Sequence, residues 1–302
     1  ISLGLVGSEM CIRDSFYTPE FIVNNVLDLS SYHGQKILKK HVIDNSCGDG
    51  AFLVVVVKRY CVEYLKISAD LQTLSKELVK YIHGIEINAT EAKKCIENLN
   101  NAVNIYNLQN IEWDINCADT LTVDKYNGKM DYVIGNPPYV RVHNLGNSFN
   151  NIKKFSFAQN GMTDLYIVFY EIGLKMLNEN GVLGYITPSS FFNSLAGKNM
   201  RLHLVSNNLL DKIVDLKHFQ AFAATTYTAI TILKYNRQQH TTEYYQFEDK
   251  NNFPYYVDTL DAEDYCICDN FYFADKKKLA ELKNILKYKP IKDNFIVKNG
   301  FA

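Results

Sequence analysis

The chain has 302 residues, of which 47% are hydrophobic and 22% are charged, and its formal net charge is −1. This composition is typical of a globular protein that forms one large α/β domain and part of another. The near-zero net charge gives no general sign of nucleic-acid binding, although a local basic face would suffice for it. The longest apolar run covers only residues 51–57, which is too short to cross a bilayer.

The cysteines indicate the cellular compartment of the protein, and the two ends of the chain indicate whether the chain is complete. Seven cysteines are scattered without a Cys-x-x-Cys pair, so we expect reduced thiols, a cytoplasmic protein and no metal site. Residues 1–15 do not fit the pattern that follows and lack the basic start of a signal peptide, so we interpret them as a non-native leader. Residues 297–302 stop within a pattern, and we expect the chain to be a fragment at both ends.

Helix and strand patterns alternate from residue 18 onward. Thr18-Pro19-Glu20 predicts a helix start, with Thr18 as the N-cap and Pro19 at the first helical position. Periodicity predicts further helices at residues 51–60, 71–80, 89–101, 164–177 and 197–207. It predicts strands at residues 41–43, 81–85, 111–117, 132–134, 181–187, 210–216 and 227–235. This order predicts an α/β fold with a doubly wound, mostly parallel sheet and right-handed crossovers.

Three stretches fall outside this alternation. Residues 144–160 are rich in Asn and Gly and are predicted to form a mobile lid over the site. Residues 243–270 are rich in Tyr, Asp and Asn, and residues 271–290 are predicted to form a lysine-rich helix. We interpret that helix as a solvated face, with a phosphate-contacting linker to a further module as the alternative.

The loop at residues 135–139 is the most specific feature of the sequence. Pro137 and Pro138 cannot continue a sheet ladder, so they form a stiff loop at the carboxyl end of a strand, where open α/β sheets bind ligands. The Asn136 side-chain oxygen and the Pro137 carbonyl are both acceptors and suit a planar –NH₂ group. Tyr139 can stack on the ring that bears this group, although the same residues also suit an ordinary turn.

Three earlier strand ends carry acidic residues. The first leads into a glycine-rich turn, Asp44-Asn-Ser-Cys-Gly-Asp-Gly50, which lacks the lysine of a P-loop and suits a cationic ligand. Glu86 can accept both hydroxyls of a ribose, and Asp119 can accept from the amine of an adenine. Glu86 also suits a helix N-terminus and Asp119 a cap, so each has a local explanation. Together the strand ends imply an adenosine with a charged tail beside an amine acceptor.

As a set, these motifs resemble those of the S-adenosylmethionine-dependent N6-adenine DNA methyltransferases. In the arrangement that matches, the cofactor motifs precede the catalytic motif and a target-recognition domain follows. The resemblance covers residues 16–235 and implies a Rossmann-like methyltransferase fold with a seven-stranded type of sheet. It also implies S-adenosylmethionine as cofactor, a flipped adenine in double-stranded DNA as substrate, and a restriction-modification system in which a restriction endonuclease or a specificity subunit is the partner.

Carried over motif by motif, the resemblance assigns roles to residues of this chain. The catalytic motif is Asn136, Pro137, Pro138 and Tyr139. The cofactor motifs supply Tyr17, Thr18, Pro19, Asp44, Ser46, Cys47, Gly48, Gly50, Glu86 and Asp119. Phe222, in the family's last motif, and Tyr139 are the expected aromatic faces against the target base. Residues 16–235 are the expected catalytic domain, 236–290 a connecting region and 291–302 the start of a truncated target-recognition domain.

Two other functions stay open. Asn-Pro-Pro-Tyr also occurs in methyltransferases that act on protein glutamine, and a close variant in those that act on guanine of ribosomal RNA, because each presents a planar amide or amine. A DNA-binding subunit that keeps the fold without catalysis is the second alternative. The intact set of Asn136, Tyr139, Asp44, Glu86 and Asp119 speaks against it.

Overall fold

A computed structural model describes residues 18–142, 152–217, 219, 227–247 and 253–288. Tyr17 and Phe222, which the sequence places in the site, lie outside these ranges. So do residue 143, residues 144–151 of the predicted lid and residues 289–302 at the end of the chain.

The helices and strands of the described residues follow the predicted alternation. The helices are α1 Glu20–Leu29, α2 Ala51–Leu65, α3 Leu71–Tyr81, α4 Ala89–Asn104, α5 Leu165–Met176, α6 Lys198–Ser206, α7 Ala262–Tyr265 and α8 Lys276–Ile285. The strands are β1 Val42–Asp44, β2 Ile82–Glu86, β3 Asp114–Cys117, β4 Met130–Gly135, β5 Leu177–Pro188, β6 Leu210–Asp215, β7 Thr228–Lys234, β8 Thr241–Phe247, β9 Pro254–Asp261, β10 Cys266–Ile267 and β11 Asn270–Phe271.

Nine strands form one sheet in the order β3-β2-β1-β4-β5-β7-β6-β8-β9. The pairs from β3 to β5 are parallel, and β7 runs antiparallel to both of its neighbours. The predicted doubly wound, mostly parallel sheet is therefore confirmed. Because β1 and β4 are adjacent and parallel, with Asp44 in register with Ile134, the ends of both strands lie at one edge of the sheet.

Apolar residues fill both faces of the sheet, as a doubly wound fold requires. Ile134 belongs to the hydrophobic cluster that also contains residues of α1, α2 and α4, whereas Val133 belongs to the cluster with α5 and α6. Successive side chains of a strand point to opposite faces of the sheet. Val133 and Ile134 are both fully buried, so both faces of β4 are covered. Burying such a side chain stabilises the fold by roughly 1.5–3 kcal/mol, which makes β4 a rigid support for the loop that follows it.

The start of α1 differs from the prediction. Pro19 occupies the N-cap position with φ −57° and ψ 141°, and no side chain caps the helix. The expectation that Thr18 caps α1 is therefore wrong. The physical reason is that the Thr18 hydroxyl is engaged elsewhere, with a residue of the loop after β4.

The sheet extends past residue 235, where the catalytic domain was expected to end. Strand β8 pairs in parallel with β6, and β9 pairs antiparallel with β8. The lysine-rich helix begins only at Lys276, because Asn270 and Phe271 form a hairpin with β10 and Asp275 caps the helix through the backbone N–H of Lys278. The division into domains itself stays a prediction.

Candidate active site

The loop after β4 presents an unsatisfied acceptor. Asn136 Nδ2 donates a 3.1 Å hydrogen bond to the hydroxyl oxygen of Thr18, which is only 3% exposed. This bond fixes which end of the Asn136 amide faces α1. The other end, Oδ1, is buried and has no hydrogen-bond partner among the described residues. A buried acceptor without a partner costs about 1–3 kcal/mol, so Asn136 Oδ1 is available to a donor from outside the described residues.

The two strand ends at the centre of the sheet lie in close contact. Gly135 has φ +150°, and an ideal Cβ at this position would lie 2.6 Å from Asp44 Oδ1. Only glycine fits between the loop and the Asp44 carboxyl. Ser46 Oγ donates a 3.4 Å hydrogen bond to the backbone carbonyl of Asn136. The turn after β1 and the loop after β4 therefore form one unit.

Asp44 is a buried carboxyl at the end of β1. It is 2% exposed, and its Oδ1 accepts a 3.0 Å hydrogen bond from the backbone N–H of Ser46. Burial raises the pKa of Asp44 to about 7, and the negative charges of Glu86 and Asp49 add to this effect. A cationic group next to Asp44 would favour its ionised form. That this end of the turn suits a cationic ligand stays a prediction.

The glycines of the turn have different surroundings. Gly48 and Gly50 both adopt positive φ, +52° and +93°. An ideal Cβ on Gly48 would meet no atom of the described residues within 4 Å, whereas one on Gly50 would lie 2.8 Å from Cys95 Sγ. Gly48 therefore faces open space, where a ligand can approach the backbone, and Gly50 packs against α4.

Glu86 and Cys47 support this turn. Glu86 Oε2 accepts a 2.9 Å hydrogen bond from the backbone N–H of Gly48, and Oε1 accepts a 2.8 Å bond from that of Asn88. The backbone N–H of Cys47 donates a 3.0 Å bond to the Ile85 carbonyl. A hydrogen bond with Cys95 and burial hold the pKa of the Cys47 thiol well above its usual range. Cys47 thus contributes backbone to the turn, while its thiol belongs to the core.

Asp119 follows β3 and caps the short turn after it, which is the local role that the sequence predicted as an alternative. Its Oδ1 accepts a 3.0 Å hydrogen bond from the backbone N–H of Leu121 at the start of a short 3₁₀ turn. Thr120 Oγ1 donates a 2.6 Å bond to the carbonyl of Asn45 in the turn after β1. The structure therefore brings Asp119 to the same edge as Asp44. A contact with adenine stays a prediction.

Tyr139 is half-buried and held at both ends. Its hydroxyl donates a 3.3 Å hydrogen bond to the Ile186 carbonyl of β5, and its ring lies edge-on to Tyr166 at 6.3 Å. Burial holds the pKa of Tyr139 well above its usual range, so the hydroxyl stays neutral. These contacts fix the orientation of the ring before any substrate arrives.

Asn45 is a supporting residue that the sequence did not single out. It is fully buried, and its Oδ1 accepts a 2.8 Å hydrogen bond from the hydroxyl of Tyr185. Its carbonyl also receives the Thr120 bond. Asn45 thus links the turn after β1 to β5 and to the turn after β3. Its position next to Asp44 in the glycine-rich turn was the one signal in the sequence.

A groove of about 370 Å³ lies beside the glycine-rich turn, between α1, α2 and α4. It is lined by Thr18, Glu20, Asp49, Gly50, Ala51, Val54, Val55, Lys58, Asn98, Asn101 and Ala102. These residues do not include the carboxylates at the ends of β2 and β3. The groove therefore flanks the cluster of strand ends and shares with it only the turn and Thr18.

None of the helices in the described ranges combines the length and the apolar character that crossing a membrane requires.

Comparison with known proteins identifies a family. The profile of the Eco57I restriction-modification methylase family matches residues 53–222. The type II methyltransferase M.BstVI of Geobacillus stearothermophilus is 31% identical over 238 residues, which cover 74% of this chain and 42% of that protein. The type II methyltransferase M.XhoI of Xanthomonas vasicola is 28% identical over 233 residues, with the same two coverages, 74% and 42%. This chain thus spans less than half the length of these relatives.

Solved structures share the fold. A nuclease-deletion mutant of the Type ISP restriction-modification enzyme LlaGI, in complex with a DNA substrate mimic, superposes with a TM-score of 0.60 at 18% identity. The superposition covers 91% of this chain and 26% of that one. A modification subunit of a type I restriction enzyme from Vibrio vulnificus superposes with a TM-score of 0.60 at 17% identity, covering 95% and 55%. At these identities the likeness establishes the fold alone.

Proposed function

The chain belongs to the Eco57I restriction-modification methylase family, and on that basis we propose that it methylates the exocyclic N6 amine of an adenine flipped out of double-stranded DNA. S-adenosylmethionine is the proposed methyl donor. The observation that supports the proposal most strongly is the buried, unpartnered Oδ1 of Asn136 in an Asn-Pro-Pro-Tyr loop. This atom is the acceptor that a planar amine with hydrogens to donate requires.

The residues around the turn fit S-adenosylmethionine. The backbone at Gly48 is open to close approach, and the buried Asp44 gains from a neighbouring positive charge. The carboxylates of Glu86 and Asp119, at the ends of β2 and β3, are the proposed partners of the ribose hydroxyls and of the adenine amine. Ser46, Cys47 and Gly50 complete the turn, and Tyr17, Thr18 and Pro19 are its proposed cover. When bound, the cofactor supplies a methyl group on a cationic sulfonium.

Asn136 and Pro137 would act on the nitrogen of the acceptor. The amine of adenine is a poor nucleophile because its lone pair is delocalised into the ring. Two acceptors that take both N–H hydrogens favour a more tetrahedral, more nucleophilic nitrogen. The positive charge that develops on this nitrogen strengthens both bonds, so they stabilise mainly the transition state, by roughly 1.5–3 kcal/mol each. The bond from Asn136 Nδ2 to Thr18 occupies the donor end of the amide, which would leave its oxygen for the amine.

Tyr139 would receive the flipped base. Flipping costs a few kcal/mol, and stacking on an aromatic ring returns about 1–3 kcal/mol. The hydroxyl of Tyr139 is bonded to Ile186, and its ring contacts Tyr166 edge-on. Stacking of the base therefore costs the Tyr139 side chain little conformational entropy. Pro138 fixes the approach of the loop to this ring, and Phe222 is the proposed second aromatic face.

Membership of a restriction-modification family favours DNA over the alternative acceptors, protein glutamine and ribosomal RNA guanine. The unpartnered acceptor of Asn136 likewise favours an active enzyme over a DNA-binding subunit without catalysis. A restriction endonuclease or a specificity subunit is the proposed protein partner. The proposed substrate implies a cytoplasmic location.

Product analysis tests this function. The full-length protein is incubated with S-adenosylmethionine carrying an isotopically labelled methyl group and, in separate reactions, with unmethylated duplex DNA, a protein release factor or ribosomal RNA, and each acceptor is digested for mass spectrometry. Labelled N6-methyldeoxyadenosine is expected. Label in protein glutamine or in ribosomal RNA guanine would overturn the assignment. Cofactor binding in a thermal-shift assay without transfer to any DNA would instead identify an inactive subunit.

A further inference from the structure

Two exposed apolar side chains lie on neighbouring connections at the edge of the sheet that carries the site. Met162 is 73% exposed and Leu195 is 66% exposed. Met162 precedes α5 on the connection from β4, and Leu195 lies on the connection from β5 to α6. An ideal Cβ on Gly161 would lie 3.5 Å from both Cβ and Cγ of Leu195, so the two connections are in contact.

Met162 is tied to the catalytic loop through the backbone. The N–H of Val142 donates a 3.0 Å hydrogen bond to the carbonyl of Thr163, and the N–H of Leu165 donates a 2.8 Å bond to the carbonyl of Val140. The chain that leaves Tyr139 therefore runs directly beside the segment that carries Met162. Two backbone hydrogen bonds thus join the segment that carries Met162 to the residues that follow Tyr139.

The segment that carries Met162 has a rigid base. Glu171, which is 8% exposed, accepts hydrogen bonds from Ser156 Oγ at 3.0 Å and from the backbone N–H of Phe157 at 2.9 Å. The hydroxyl of Thr163, which is 6% exposed, donates to the Asn160 carbonyl at 3.3 Å. Few conformations are therefore open to the backbone beneath the Met162 side chain.

The Leu195 connection is held in the same way. Arg201 is 3% exposed, and its Nη1 donates to the carbonyls of Phe191 at 2.7 Å and Ser194 at 2.8 Å. Its Nε donates to the Asp269 carbonyl at 2.6 Å. A buried guanidinium thus anchors the residues immediately before Leu195, so this apolar side chain is presented on a fixed support.

We propose that Met162 and Leu195 form an apolar wedge that enters the DNA duplex at the base step from which the adenine is flipped. This inference rests on the proposed function. Removing a base from the stack exposes the apolar faces of its neighbours, and Met and Leu are among the side chains that proteins insert at such steps. Arg141, an exposed cation two residues after Tyr139, lies on the same connection and provides a contact for the adjacent phosphates.

The wedge predicts a defect that depends on pairing at the target. The recognition sequence is first read from the modified adenines in genomic DNA of cells that express the full-length protein. Single-turnover methylation is then measured with the Met162→Ala/Leu195→Ala variant on two duplexes: one fully paired, and one with an abasic site opposite the target adenine. We expect the rate to fall by about tenfold or more on the paired duplex, because the wedge offsets the cost of flipping. On the abasic duplex, where the adenine has no pairing partner and flipping costs less, the rate should stay within about twofold of wild type.

Two further variants complete the test. Ile105→Ala removes an equally exposed side chain, 74% exposed, from the end of α4 at the opposite edge of the sheet, and it should change neither rate. Met162→Leu should keep both rates, since leucine also fills a base step. If the methylation rate of the double variant falls equally on both duplexes, the pair positions the catalytic loop and is not a wedge. If the rate falls on neither duplex, the wedge is also overturned. Absence of methyl transfer by the wild type on any DNA would instead remove the proposed function itself.

Discussion

Asn136 donates a 3.1 Å hydrogen bond from its side-chain nitrogen to the hydroxyl of Thr18, which lies 118 residues earlier in the chain. The bond joins the start of α1 to the loop after β4. Because it occupies the donor end of the amide, it leaves the acceptor end, Oδ1, for another donor. Thr18 is therefore a positioning residue for the proposed catalytic amide, in addition to its proposed place beside the cofactor.

Removal of the Thr18 hydroxyl should slow methyl transfer. In Thr18→Val, Asn136 Nδ2 loses its partner, and the amide is free to turn its donor end towards the amine. A loss of about 1–3 kcal/mol corresponds to a fall in rate of roughly 10- to 100-fold, measured as kcat at saturating cofactor and DNA. Thr18→Ser keeps the hydroxyl and should stay within about threefold of wild type. An unchanged kcat in the valine variant would show that the Thr18 hydroxyl does not orient the Asn136 amide.

The two glycines of the turn should respond differently to alanine. At Gly50, a Cβ meets Cys95 Sγ at 2.8 Å and φ is +93°, so Gly50→Ala should lower the free energy of unfolding by several kcal/mol, with thermal denaturation as the measurement. At Gly48, a Cβ meets nothing within 4 Å, so Gly48→Ala should cost only about 1–2 kcal/mol of backbone strain. Its methyl group projects into the proposed ligand space, so the affinity for S-adenosylmethionine should fall by more than tenfold. Normal affinity in Gly48→Ala would exclude this space as the cofactor site.

Local patterns predicted most of the sheet but not the contacts made at its edge. Alternating helices and strands placed Asp44, Glu86, Asp119 and Asn136 after successive strands, and the parallel order of those strands brings them to one edge. The partner of Thr18 was invisible, because Thr18-Pro19-Glu20 resembles a capped helix start and nothing local marks a residue 118 positions away.

The last part of the sheet was missed for a related reason. In β8 the burial alternates imperfectly, and β9 is an edge strand that is mostly solvent-accessible. Neither strand therefore has the apolar run that identifies a central parallel strand. The four consecutive valines of α2 have a high β propensity but form a helix. The helix begins after Gly50, and its buried residues pack in one hydrophobic cluster with those of α1 and α4.

The raised pKa of Asp44 predicts how stability depends on pH. An ordinary Asp pKa is about 4, and that of Asp44 in the folded protein is about 7. The folded state thus binds the proton more tightly than the unfolded state does. The stabilisation is fully present below pH 4 and is lost as pH rises to 7. The lost contribution is of the order of 4 kcal/mol.

Asp44→Asn isolates this contribution. Chemical denaturation at pH 5 and pH 8 should show that wild type loses about 2–3 kcal/mol of unfolding free energy relative to the variant over this range. Other titrating groups, such as His41, are common to both proteins and cancel in the comparison. Parallel pH profiles for the two proteins would show that Asp44 titrates normally.

The lysines of α8 are largely paired with acidic side chains. Lys276 lies 3.6 Å from Asp264, Lys283 lies 3.5 Å from the same carboxylate, and Lys278 lies 3.0 Å from Asp275. We therefore expect Lys276→Gln/Lys283→Gln to leave the salt dependence of DNA binding unchanged and to cost at most about 1 kcal/mol of stability. Arg141→Gln, near the proposed wedge, should lower the salt slope by about one unit.

A salt-controlled titration of this chain on duplex DNA measures how the affinity of the lysine variant and of Arg141→Gln depends on salt. We expect weak binding without sequence preference, because this chain covers only 42% of its relative M.BstVI, and contacts to phosphates alone carry no sequence information. A slope that falls in the lysine variant would support the phosphate-contacting alternative for α8. Tight, sequence-specific binding by this chain alone would contradict the assignment of specificity to a further domain.

The central claim is that Asn136 Oδ1 accepts a hydrogen bond from the amine that is methylated. The most direct measurement compares Asn136→Ala with wild type for tritium transfer from S-adenosylmethionine to DNA, together with cofactor binding in a thermal-shift assay. We expect no detectable transfer by the variant, with cofactor affinity within about twofold of wild type, since the proposed partner of the amide is the acceptor amine and not the cofactor. Methylation by Asn136→Ala at the wild-type rate would contradict the claim.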